Sequence, residues 1–193
     1  MKKRNPARKR RLMEKQLGRS EERFRQIYEA SMNAIYTTSV QGEIVNVNPA
    51  GVSMFGVDSL DELRKVPVVD LYVNPEDRRR FIELMDKGPV RGFETRLKRE
   101  DGRILHVIIN AYPLKDEKGR VTKFQGALVN ITERKLLEKE LSRSKRFLEE
   151  VIDNVLDPMF IKDKDFKYVL ANQAYFDFGR SKNSEKFCTS RNY

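Results

Sequence analysis

The chain reads as an α+β protein: an antiparallel domain of roughly 100 residues set between long helices. Three observations point there. Hydrophobic periodicity changes from a helical stripe to period-two alternation near residue 34, and returns to the helical period near residue 132. Glycine-bearing turns punctuate the middle at Gln41-Gly42, Gly88-Pro89, Glu100-Asp101-Gly102 and Asp116-Glu117-Lys118-Gly119. The opening pattern of helix then hairpin also recurs 124 residues further on.

Residues 1–11 form a basic leader. Lys2, Lys3, Arg4, Arg8, Lys9, Arg10 and Arg11 occur there without an acid, so of the net charge of +10 the other 32 basic and 29 acidic residues supply only +3. The tail could hold phosphates or an anionic membrane surface, but its ordinary reading is a solvated, disordered extension. No aromatic side chain interleaves with the charges, so base stacking is unsupported and nucleic acid is not expected as a partner. No apolar h-region follows, and no apolar run approaches the ~18 residues of a membrane span. One cysteine, Cys188, allows no intrachain disulfide, and with a single histidine, His106, no usual structural zinc site is expected. A reducing cytoplasm is the expected compartment.

Residues 12–31 are expected to form a connector helix, and 132–156 a second one. Arg11–Ser20 aligns with Lys135–Ser144 with six identities in ten positions. At the same offset Ile27 meets Val151, Asn48 meets Asn172 and Ala50 meets Ala174. Met13, Leu17, Ser20, Phe24 and Ile27 step by 4, 3, 4, 3, as do Leu137, Leu141, Ser144, Leu148 and Val151. A stripe this narrow suits a two-stranded coiled coil, weakened in each copy by its serine. The other reading is a helix lying on its own domain.

The domain itself is placed at 32–131. Ala34–Val40 and Glu43–Asn48 flank the Gln41-Gly42 hairpin signal. Pro49–Phe55 reads as a short helix with proline in its first turn. Ser59 and Glu62 make a capping box, and Asn74-Pro75 opens a longer helix carrying Phe81 and Met85. Strands are expected at Val90–Arg99, Arg103–Leu114 and Val121–Ile131.

Here the sequence resembles the PAS family, with its PAC segment. The residues that carry the resemblance are Asn46-Val47-Asn48-Pro49-Ala50, Val73-Asn74-Pro75-Glu76-Asp77, Lys98–Arg103, Pro113–Gly119 and Asn130-Ile131-Thr132-Glu133-Arg134-Lys135. The resemblance implies a five-stranded antiparallel sheet with short helices over one face enclosing a small cavity, and signal coupling through Asn130, Ile131, Thr132, Glu133 and Arg134. Asn130 stands where Asp is most common, yet Asn still caps a helix, with Glu133 at N3.

Alternation along the strands, with the PAS resemblance choosing the face, puts Phe93, Thr95 and Leu97, then Val107, Ile109 and Ala111, then Phe124, Gly126 and Leu128 inward. Together with Ile35, Phe55 and Phe81 they outline an apolar pocket. A packed core without ligand is one reading of it, and an unidentified small ligand the other; no cofactor is predicted. Blue-light PAS relatives use a cysteine beside flavin, and none occurs in the domain. Asn110 and Gln125 fall on outward faces, which tells against flavin. The long helix Asn74–Lys87 has no axial histidine for haem, and His106 falls outward on a strand.

No nucleophile–base–acid set, phosphate loop or kinase box occurs, so no catalysis is expected of this chain. The expected role is that of a sensory and signal-relay module, a homodimer through its connector helices, serving a downstream signalling domain or kinase. The alternatives are the sensory fragment of a sensor histidine kinase, and an interaction module anchored by the basic tail. Residues 157–193 read as the truncated start of a second PAS domain.

Overall fold

A computed structural model describes residues 6–182, with the side chains of residues 10 and 13–179. The chain divides at Glu133/Arg134 into two compact units, each described by itself.

The first unit opens with α1 (Pro6–Ala30). The helix starts well before the expected residue 12. Proline is tolerated in a first turn, and Ala, Arg, Lys and Leu then follow without a breaker. Residues 6–11 are therefore helical rather than part of a disordered leader, and 1–5 lie outside the described residues. Next come β1 (Ala34–Ser39), β2 (Ile44–Val47), α2 (Pro49–Phe55), α3 (Leu60–Arg64), α4 (Val68–Leu71) and α5 (Pro75–Lys87). The strands β3 (Val90–Lys98), β4 (Ile104–Lys115) and β5 (Val121–Asn130) complete the unit. The five strands form one antiparallel sheet in the order β2-β1-β5-β4-β3. Chain order places β1 and β5 side by side at its centre, so the first and last strands close the domain.

The helices end where their chemistry dictates. Asn48 caps α2 by accepting the Gly51 N–H, and Gly56, at φ 75°, stops it in the left-handed region that glycine enters without strain. Ser59 accepts the Glu62 N–H while Glu62 accepts the Asp58 N–H at 2.9 Å. Asn74 caps α5 through the Glu76 N–H, and Gly88 ends it. The four-residue α4 was not expected from the sequence. Val-Val-Asp-Leu favours strand, but Pro67 precedes it and the Val68 N–H donates to the Gly42 carbonyl at 3.2 Å.

The core lies between the helices and one sheet face. Phe81, Met85, Leu63, Val107, Ile109 and Phe124 are essentially solvent-free. Each such side chain contributes about 2–3 kcal/mol by leaving water. Phe81 meets Phe93 edge-on, with ring centroids 5.6 Å apart.

The second unit contains α6 (Thr132–Asp153) beyond its first two residues, a hairpin of β6 (Phe160–Lys162) and β7 (Tyr168–Ala171), and α7 (Gln173–Lys182). Phe160, Tyr168 and Tyr175 pack as a ring cluster, and the Tyr175 hydroxyl donates to that of Tyr168 at 2.9 Å. Cys188 lies outside the described residues. No described helix is long and apolar enough to cross a membrane, and no described cluster of His, Cys, Asp or Glu could hold a metal ion.

Candidate functional site

The inner sheet face and the helices line a cavity of about 40 Å³. Its wall is mostly hydrocarbon: Ile44 and Val47 from β2, Phe55 from α2, Leu63 from α3, Val68 and Leu71 from α4, and Leu97, Ile109 and Leu128 from the sheet. Four polar side chains join them, Tyr36, Thr38, Tyr72 and Arg78. Thr38 is 3% exposed and its hydroxyl has no hydrogen-bond partner. Burial raises the phenol pKa of Tyr36 and of Tyr72, while the Arg78 guanidinium beside them pulls the other way. Arg78 also stands 5.9 Å from the Tyr72 ring centroid and 5.7 Å from that of Phe81.

Of the sequence-predicted pocket residues, Phe55, Ile109 and Leu128 line the cavity. Thr95, Val107, Phe124 and Phe81 are buried beside it, and Phe93 packs against the same core from a half-buried position. Thr95 donates its hydroxyl to Asp77 at 2.8 Å, which ties β3 to α5. Ile35 needs correcting. In β1 the buried residues are Ala34 and Thr38, and Tyr36 lines the cavity between them, so Ile35 points to the opposite face. The pairing explains it: Ala34, Tyr36 and Thr38 lie opposite Leu128, Gly126 and Phe124, the inward residues of β5. Tyr36, Thr38, Tyr72 and Arg78 carry no pocket signal in the sequence, where hydrocarbon alternation marks the inward faces; Arg78, inside Asp77-Arg78-Arg79-Arg80, looks like surface charge. His106, Asn110 and Gln125 sit on the outer-face positions of β4 and β5, where Asn110 accepts the Gly92 N–H at 2.9 Å.

The first residues of α6 are hydrogen-bonded to the sheet. Asn130 ends β5, and its side-chain oxygen accepts the Thr132 N–H at 2.9 Å and the Thr132 hydroxyl at 2.6 Å. The Thr132 oxygen accepts the His106 N–H of β4 at 2.9 Å, and the Ile131 N–H donates to the His106 carbonyl at 2.8 Å. Ile131 is buried, and Glu133 and Arg134 are exposed. Leu137, Leu141, Leu148 and Val151 are between 47% and 73% exposed, as one stripe of α6, and Ser144 lies exposed among them.

At the other end of the domain, Asn48 is fully buried and binds four backbone groups. Its amide donates to the carbonyls of Tyr28 in α1 and Asn33, each at 3.0 Å; its oxygen accepts from Ile35 at 2.9 Å and Gly51 at 3.1 Å. The Asn48 side chain thereby fastens the last turns of α1 to β1 and α2.

Known proteins agree with this architecture. Residues 32–133 match the family described as PAS domain. The chain is 28% identical over 167 residues to Sporulation kinase E of Bacillus subtilis (strain 168), a match covering 84% of this chain and 21% of that protein. It therefore spans about a fifth of the curated relative. Among solved structures, an RNA-binding Light-Oxygen-Voltage receptor superposes with a TM-score of 0.55 at 21% identity, covering 65% of this chain and 37% of that one. A PAS domain from Colwellia psychrerythraea superposes with a TM-score of 0.51 at 23% identity, covering 58% of this chain and 97% of that one. Likeness at these identities speaks to the fold, and the match over residues 32–133 to the family: the chain belongs to the PAS domain family.

Proposed function

We propose that the chain is the sensory and signal-relay module of a signal-transduction protein, detecting a small ligand, a redox change or a partner and passing the change into α6. The observation that supports this best is the joint at Thr132. Ile109 of the cavity wall lies three residues along β4 from His106, whose N–H and C=O are both held at the root of α6. Leu128, also in the wall, lies two residues before Asn130 on β5. A shift of the wall has a short, hydrogen-bonded route into the helix.

In this reading the exposed stripe Leu137, Leu141, Leu148 and Val151 pairs with that of a second copy, so the working unit is a homodimer and the output a change in coiled-coil packing. The chain carries no catalysis of its own; a downstream signalling domain or kinase receives the change. Analytical ultracentrifugation at tens of micromolar tests this. A dimer is expected, with the double variant Leu141→Lys/Leu148→Lys monomeric at an unchanged domain melting temperature. A monomer at every concentration, unaffected by deleting residues 137–148, refutes the relay.

A second reading has its own support. The similarity to a sporulation kinase runs over 84% of the chain, further than the PAS match at 32–133. The module would then govern a histidine kinase. In-frame kinase coding sequence in the neighbouring DNA would establish this, and an unrelated output domain there would overturn it.

A further inference from the structure

The cavity's polar groups have a common character. Arg78 brings a positive charge and only N–H donors, and Thr38, Tyr36 and Tyr72 each bring a hydroxyl able to donate. No carboxylate or side-chain amide lines the wall. Asp77, next to Arg78 in sequence, is turned to the Thr95 hydroxyl, and among the described residues Arg78 forms no ion pair with a carboxylate. Thr38 is buried in the cavity wall with its hydroxyl unpaired, a cost that a hydrogen-bond acceptor brought against it would remove.

These groups select by charge and by size. A cation would meet Arg78. A pure hydrocarbon would leave the Thr38 hydroxyl unpaired. A dianion would be stranded against nine apolar side chains, at a heavy desolvation cost. The free space is small, about 40 Å³, so only a compact molecule is admitted. A compact body with one singly charged acceptor group satisfies every condition. We propose that the cavity takes a short-chain aliphatic monocarboxylate, its hydrocarbon end among Ile44, Val47, Leu63 and Ile109 and its carboxylate received by Arg78 and Thr38. This rests on the sensory reading above and names the chemical class of its ligand. Arg78 is the charge-reading residue, and Thr38 sets the orientation of the bound carboxylate.

The test is a ¹H–¹⁵N NMR titration of the full chain with sodium isobutyrate, against isobutyramide and against sodium chloride at equal ionic strength. Saturable shifts at the Thr38, Tyr72 and Arg78 amides are expected with isobutyrate, and about tenfold weaker binding with the amide, as loss of a charge-assisted contact implies. Arg78→Met should abolish the preference for the anion. Thr38→Val, near-isosteric and freed of an unpaired hydroxyl, should weaken isobutyrate severalfold without lowering the urea midpoint. Equal binding of the amide, an unchanged preference in Arg78→Met, or no saturable shift with either compound overturns the assignment. Sedimentation separates the two readings. A dimer that binds neither compound loses only the ligand class, whereas a monomer that binds isobutyrate loses only the relay.

Discussion

Asn172 repeats, group for group and 124 residues later, the hydrogen bonds that Asn48 makes. Where the Asn48 amide donates to Tyr28 and Asn33, the Asn172 amide donates to Ile152 and Asp157, at 3.4 and 2.8 Å; where the Asn48 oxygen accepts from Ile35 and Gly51, that of Asn172 accepts from Met159 and Tyr175, at 2.8 and 3.0 Å. Both side chains are fully buried. One asparagine per unit thus fastens a preceding helix to the first strand and the following helix.

Asn48→Leu should destabilise the first unit by about 3 kcal/mol or more, because four backbone groups lose their partner inside the protein. Asn48→Asp should do no better, since it keeps the acceptor but turns a charge toward two carbonyls. Urea unfolding measures both. In Asn172→Leu, faster hydrogen exchange at the Met159 and Tyr175 amides is the expected result.

Gly126→Ala should cost about 2–3 kcal/mol. A Cβ there would collide with the Asn110 carbonyl and the Ala111 backbone of β4, neither of which can rotate away. The urea midpoint should fall, with β4–β5 amides losing exchange protection first.

Thr132→Ala should cost about 1–2 kcal/mol by leaving the His106 N–H without its acceptor. Thr132→Ser, which keeps the oxygen, should behave like the parent chain. Exchange at the His106 and Ile131 amides distinguishes a loosened joint from general destabilisation.

Acid should weaken the two hairpin turns of the meander. The Arg103 N–H and the Arg99 guanidinium hold the Asp101 carboxyl below its ordinary pKa of 3.8, and the Arg120 N–H with its guanidinium does the same for Asp116. With folded-state values depressed, the stabilisation is complete above the unfolded value and is lost as pH falls through the folded one. Melting temperature followed from pH 6 to pH 2 should therefore drop less steeply in Asp101→Asn/Asp116→Asn than in the parent chain.

Much of this was legible in the residues. Gly56 was not needed to see α2 end, because Pro49 and the apolar run to Phe55 already bounded it; Ser59 and Asn74 announced their helices by capping chemistry. The inward faces of β3, β4 and β5 followed from alternation once the PAS resemblance had chosen the side. Ile35 misled because β1 carries no clean alternation, and its orientation is set by pairing with β5 and by Asn48, both distant in sequence. Thr38 and Arg78 were illegible for a different reason. A polar residue's burial depends on which helix folds over it, and neither side chain's local pattern contains that information.

The paired asparagines also define what could be exchanged between proteins. Since the first acceptor of each lies in the helix before the domain, at Tyr28 and at Ile152, a recombinant cassette cut at the first strand would orphan a buried amide. The natural seam lies one turn or more upstream, inside the helix, and a functional graft must carry that turn along with its domain.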